Sequence, residues 1–251
     1  MTDIAMHRFA SFDGVELYWR EMGEGRPVVL LHGYFSDAMT NWIRYGHAAA
    51  IAGCGYRVIM PDLRAHGDSG KPHDPASYPP DALARDALAL IDHLGLTDYD
   101  LGGYSLGART TMRLLVHGAT PRRVVLSGMG LEGIVASGQR ADFFRRVLAP
   151  GESFERGSPE FMAQAFLKTT GGDATALALI LDTFVDTDAA ALDAVTQPVL
   201  VVCGADDRDN GSAPDLADAL ANGRYVEVPG NHMSAVIKPE LGQAIADFLA
   251  G

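Results

Sequence analysis

Short runs of β-branched and other apolar residues recur along the chain, and between them apolar residues return every three or four positions. The runs are Val28 to Leu31, Arg57 to Met60, Tyr99 to Leu101, Arg123 to Leu126, Val199 to Cys203 and Tyr225 to Val228. Continuous apolar character suits a strand covered on both faces, and the helical stretches between the runs supply the crossovers that join parallel strands. Ahead of them, Phe9 to Ser11 and Val15 to Trp19 flank Asp13-Gly14, which predicts an antiparallel hairpin because Asp-Gly supplies a positive-φ turn. The clearest helical stripe runs from Pro80 to Leu94, with Leu83, Ala87 and Ile91 on one side and Gly95 as a stop. A last helix over Pro239 to Ala250 turns Leu241, Ile245 and Phe248 toward the core.

Between Leu131 and about Ala190 the strand rhythm stops. Several short helices are predicted there, punctuated by Pro150-Gly151, Ser158-Pro159 and Gly171-Gly172. The expected organisation is a core formed by residues 1–130 and 191–251, with a helical cap of residues 131–190 inserted after the sixth strand. The fold class is therefore α/β: a mostly parallel eight-stranded sheet with an N-terminal antiparallel hairpin and helices on both faces. Six of the ten phenylalanines, Phe143, Phe144, Phe154, Phe161, Phe166 and Phe184, fall in the cap. They either line an apolar substrate pocket or form the cap's own small core.

Composition narrows the partners. With 20 Lys+Arg against 32 Asp+Glu, the 251-residue chain carries a formal charge of -12, and the basic face that a phosphate backbone needs is missing. Neutral or cationic small molecules fit better. The N-terminal residues show no signal-peptide run and no apolar stretch reaches membrane-spanning length, so a cytoplasmic protein with a small-molecule substrate and no membrane partner is expected. Self-association is left open. Cys54 and Cys203 have no metal-like spacing. The acidic run from Asp206 to Gly211 departs from a calcium loop at its sixth and twelfth positions, Ser212 and Asp218 when counted from Asp207. Neither a metal nor a cofactor is expected.

The chemistry concentrates at Gly103-Tyr104-Ser105-Leu106-Gly107. A serine on a sharp strand-to-helix turn presents its hydroxyl at the sheet edge, and the flanking glycines make room for it. Ser105 needs a base, and His232 follows the strand ending at Val228, in a loop that converges on the same rim. The base needs an orienting carboxylate; Asp207 follows the strand Val199 to Cys203, with Asp206 adjacent and Asp209 more distant. Two backbone donors for a developing oxyanion are expected: the N–H of Leu106, directly after the nucleophile, and that of Tyr34, in the loop His32-Gly33-Tyr34-Phe35. Gly33 is expected to permit a sharp turn, and His32 to brace the loop.

With these pieces in order, the chain resembles the α/β-hydrolase fold superfamily over nearly its whole length. The order Ser105, Asp207, His232 is the family's order. Matching motifs are His32-Gly33, Pro61 to Ser69, the Gly103 to Gly107 elbow, Gly204-Ala205-Asp206-Asp207 and Gly230-Asn231-His232. The resemblance implies Asp207 rather than Asp206 as the acid, and structural roles for Arg64 and His66. Ala65 stands where the family commonly has glycine, which is expected to alter a loop conformation, and Asn231 is expected to brace the loop before His232. Members with aspartate at the elbow look like haloalkane dehalogenases and epoxide hydrolases; Ser105 implies an acyl-serine route instead. The resemblance thus implies a serine hydrolase acting on a small, largely uncharged carboxylic ester or lactone. Alternatives are a carbon-carbon hydrolase of aromatic ring-fission products and a ligand receptor that kept the fold. Cofactor-free haloperoxidase relatives often carry proline in the oxyanion loop, where this chain has Tyr34-Phe35-Ser36.

Overall fold

A computed structural model describes residues 4–251. Its eight strands form one sheet in the order β1-β2-β4-β3-β5-β6-β7-β8. In chain order they are β1 (Ala5–Ala10), β2 (Glu16–Met22), β3 (Arg26–Leu31), β4 (Tyr56–Pro61), β5 (Asp100–Tyr104), β6 (Val124–Ser127), β7 (Val199–Gly204) and β8 (Gly223–Val228). The pairs β1-β2 and β2-β4 are antiparallel and the rest parallel.

Successive side chains of a strand point to opposite faces, and the core divides accordingly. Val28 and Leu30 of β3 face one cluster, which they share with α1 (His47–Gly53) and α10 (Pro239–Ala250) through Ile51, Leu241 and Ile245. Val29 and Leu31 face the other way, onto Leu83, Leu90 and Ile91 of α2 (Ala82–His93). Along the same face, Ala108 and Met112 of α3 (Leu106–Val116) meet Val124, Leu126, Val199 and Val201. Five apolar strands sandwiched this way have no solvent-facing side, which is why their sequences do not alternate.

Between β6 and β7 lie four helices, α4 (Leu131–Val135), α5 (Gly138–Leu148), α6 (Pro159–Thr170) and α7 (Ala174–Leu181). They join the α2 side of the core through Ala141, Leu167, Leu177 and Ile180. Arg109 of α3 ties both ends of this segment down by donating to the Gly133 and Val185 carbonyls. Two short helices, α8 (Ala213–Asp218) and α9 (His232–Ala235), lie between β7 and α10 on either side of β8 in sequence.

Two local expectations change, and a third position is informative. The hairpin turn is longer than Asp-Gly alone, because Ser11 pairs with both Gly14 and Val15 and only Gly14 has positive φ. The helix expected from Pro80 begins at Ala82, because Asp81 is left-handed at φ 56, its carboxylate held by Arg113 and His117. Ala65 itself takes a left-handed backbone, the one that glycine would, at φ 69 and fully buried. No described helix is long and apolar enough to cross a membrane.

Candidate active site

Ser105 stands between β5 and α3 at φ 52, ψ −110. An L-residue is strained there, so surrounding structure must hold it. The Ser105 amide donates to the Ser127 carbonyl at 2.8 Å. Close approach explains both neighbouring glycines: a Cβ on Gly103 would lie 2.3 Å from the Gly107 carbonyl carbon, and one on Gly107 would lie 2.1 Å from the Leu31 oxygen. The elbow is wedged against the end of β3.

His232 opens α9 and is itself positioned by its predecessor. Asn231 caps the helix, its Oδ1 accepting the Met233 and Ser234 amides while Ser234 Oγ accepts the Asn231 amide at 2.8 Å. The backbone of His232 is held too, since the Tyr104 hydroxyl donates to its carbonyl at 2.6 Å. From there Nε2 reaches Ser105 Oγ at 3.0 Å and Nδ1 reaches Asp207 Oδ2 at 2.8 Å. With Nδ1–H donating to a carboxylate, Nε2 is left to accept the serine proton. A hydroxyl, an imidazole and a carboxylate so linked can deprotonate the hydroxyl as it attacks a carbonyl.

Asp207 is 4% exposed. Burial alone would push its carboxyl up, but hydrogen bonds from His232, the Asp209 amide and the Cys203 thiol outweigh it and hold the group below the ordinary carboxylate range. Burial and the Asp207 charge push the Cys203 thiol up, so it stays protonated as a donor. The alternatives have other positions. Asp206 is exposed and lines the cavity, and Asp209 pairs with Arg140 of α5 at 2.8 Å.

Of the expected oxyanion donors, Leu106 follows Ser105 in the chain and Tyr34 lines the same cavity as Ser105. Among the described residues neither the Tyr34 nor the Leu106 amide has a protein acceptor. Gly33, in contrast, is not needed for a left-handed turn; Phe35 takes positive φ at 60 instead. A Cβ on Gly33 would make ordinary contacts, 3.5 Å from the Tyr104 oxygen and 3.6 Å from Ser105 Cβ, so its hydrogen keeps the space beside the serine open. His32 bridges two loops, with Nδ1 donating to the Gly33 carbonyl and Nε2 accepting the Leu63 amide. Arg64, fully buried, is bound by Asp13 and Asp86.

Ser105 and His232 open into a cavity of about 590 Å³ between the sheet edge and the segment of α5 and α6. Phe143, Phe144 and Phe166 line it, while Phe184 borders a smaller recess beside Ser105 and Phe154 and Phe161 lie elsewhere. Phe143, Phe144, Phe166 and Phe184 also pack on the cluster that these helices share with the sheet and α2, in place of a separate core of their own. Two lining residues have no sequence signal: Asn41, whose Oδ1 accepts the Gly33 amide at 3.0 Å, and Arg140, stacked over Phe143 and Phe144. Neither belongs to a local motif.

Comparison with known proteins agrees with this architecture. The dihydrolipoyllysine-residue acetyltransferase component of the acetoin cleaving system from Pseudomonas putida is 34% identical over 146 residues, covering 52% of this chain and 37% of that one. An epoxide hydrolase from Caballeronia sordidicola is 38% identical over 96 residues, covering 38% of this chain. The chain therefore spans only 37% and 28% of the length of these curated relatives. A hydrolase of known structure from Pseudomonas aeruginosa superimposes with a TM-score of 0.78 at 25% identity, covering 98% of both chains. The family profile described as "Alpha/beta hydrolase family" matches residues 28–241, a span that holds most of β3 and everything from α1 through α9, and the chain belongs to the alpha/beta hydrolase family.

Proposed function

We propose that the protein is a serine hydrolase that cleaves carboxylic esters or lactones through an acyl-serine intermediate. The observation that carries this reading is the continuous contact from Ser105 Oγ through the His232 ring to Asp207, at 3.0 and 2.8 Å. Ser105 Oγ bonds to the ester carbonyl carbon while His232 Nε2 takes its proton. The carbonyl oxygen becomes an oxyanion received by the Tyr34 and Leu106 amides. As the tetrahedral centre collapses, the bond to the alkoxy oxygen breaks and His232 returns the proton to the departing alcohol. Water then adds to the acyl-enzyme, losing its proton to His232, and Ser105 leaves protonated by the same ring.

The cavity chemistry supports an uncharged substrate. Asp206, Asp209 and a single guanidinium, Arg140, line the cavity, with Arg140 paired to Asp209, a balance that disfavours the dianionic products of aromatic ring fission. The epoxide hydrolase likeness is limited by Ser105, because an alkyl-enzyme ester needs a carboxylate at the elbow. Residues 131–190 are read as the cap that shapes the cavity, and a small molecule as its occupant.

A fluorophosphonate label tests the reading directly. Peptide mass spectrometry should find the adduct on Ser105, and nitrophenyl esters should turn over in the native protein and not in Ser105→Ala. Retained turnover in the alanine variant would remove Ser105 from the mechanism. Binding without turnover would favour a receptor.

A further inference from the structure

Asn41 is a buried polar side chain that the steps above leave unused. It lies between β3 and α1, is 2% exposed, and accepts the Gly33 N–H through Oδ1 at 3.0 Å. A backbone N–H can only donate, so the carboxamide must turn its oxygen to Gly33 and its nitrogen elsewhere. That Nδ2 is buried and meets no acceptor among the described residues. Asn41 lines the cavity together with Gly33 and Ser105. The position of a Gly33 Cβ is 3.6 Å from both Asn41 Oδ1 and Ser105 Cβ, so the carboxamide neighbours the nucleophile across the width of one glycine.

A buried donor without a partner costs about 1–3 kcal/mol, and such groups call for a specific explanation. A substrate oxygen would supply the missing acceptor. A carboxylate is a poor candidate for that oxygen, since Asp206 and Asp209 outnumber Arg140 around the same cavity.

We propose that Asn41 Nδ2 donates to a second, uncharged oxygen of the substrate, making the preferred substrates esters or lactones with an additional carbonyl or ether oxygen near the scissile group. This deepens the ester-hydrolase reading and rests on it. Asn41 is then a specificity residue: a site built to bond an oxygen rejects the isostere that lacks it, because the donor is left buried and bare.

Two substrate pairs test the proposal, each differing by one oxygen. They are the nitrophenyl esters of 4-oxopentanoate and 4-methylpentanoate, and the butyrates of 2-methoxyethanol and butanol, with kcat/KM normalised to the hydroxide rate. The native protein should prefer the oxygen-bearing member of at least one pair by about tenfold or more. Asn41→Asp, which keeps an acceptor for Gly33 and loses the donor, should bring that ratio near unity, as should Asn41→Ala if it folds. A native ratio near unity in both pairs would overturn the proposal. So would an equal loss on both members in Asn41→Asp, which would leave Asn41 only a positioning residue for the Tyr34 loop. If no ester shows Ser105-dependent turnover, the ester-hydrolase reading fails separately. Calorimetric binding of methyl 4-oxopentanoate against methyl 4-methylpentanoate then decides: an Asn41-dependent preference supports the donor role, and equal binding overturns it.

Discussion

The Tyr34 hydroxyl donates to the Leu177 carbonyl at 2.6 Å, joining the loop after β3 with helix α7. Burial pushes the Tyr34 phenol far above its ordinary range, so it remains a donor at any physiological pH. Tyr34→Phe removes this buried hydrogen bond, the Leu177 carbonyl keeping its bond within the helix, and should cost about 0.5–1.5 kcal/mol, measured by urea unfolding. Because the ring still packs on Phe35 and Phe144, kcat for a nitrophenyl ester should fall by less than tenfold.

Function and stability should oppose each other at Ser105. Its φ of 52 with ψ −110 is strained for any residue with a Cβ, and Ser105→Gly removes that strain while keeping the amide bond to Ser127. The variant should unfold at higher denaturant, by about 1 kcal/mol after glycine's greater unfolded-state entropy is counted. It should show no turnover. An unchanged or lower midpoint would mean that the elbow is not strained.

The three glycines around Ser105 should separate sharply. Gly107→Ala drives a methyl to 2.1 Å from the Leu31 oxygen, where backbone on both sides cannot yield, and should destabilise by roughly 3 kcal/mol or more. Gly103→Ala should behave alike. Gly33→Ala meets nothing closer than 3.5 Å and should fold with near-native stability. Its methyl would sit beside the serine, so kcat/KM should drop instead, and paired unfolding and kinetic measurements distinguish the two outcomes.

Acid should weaken the fold in two windows. Burial chiefly, with His32 nearby, pushes His66 well below its ordinary value, and burial lowers His32 as well. Below about pH 6.5 the unfolded chain takes up protons at both rings and the folded chain does not. The stability they contribute is therefore complete above that pH and is lost as pH falls toward the depressed folded values. Asp207, also lowered, acts later, with its contribution present above about pH 3.9 and lost below it. His66→Asn can still donate to the Arg64 carbonyl in place of Nδ1 and should flatten the change in unfolding midpoint between pH 7.5 and 5.5.

Much of the site's chemistry is local and so legible in sequence. Ser105 sits in a five-residue turn whose glycines report close packing, and Asp207 and His232 each follow a recognisable apolar strand. The sheet is legible for the same reason, since burial on both faces writes itself into consecutive residues such as Val28 to Leu31. Asn41 and Arg140 carry no such mark. Asn41 matters because the connection between β3 and α1 folds back to bring it onto Gly33, and Arg140 because α5 meets Asp209 from the far side of β7 in sequence. The left-handed Ala65 escapes as well: a residue type states a preference, and here tertiary packing overrides it.

By itself the sequence determined which segments become strands, in what order, and which reactive side chains stand at their carboxyl ends, because hydrophobic period and turn chemistry are properties of neighbouring residues. Only the tertiary structure decided that an imidazole nitrogen lies 3.0 Å from a hydroxyl 127 positions away, and that a cavity of about 590 Å³ opens above them. Such distances come from how the packed layers close on one another, and no local pattern of residues contains them.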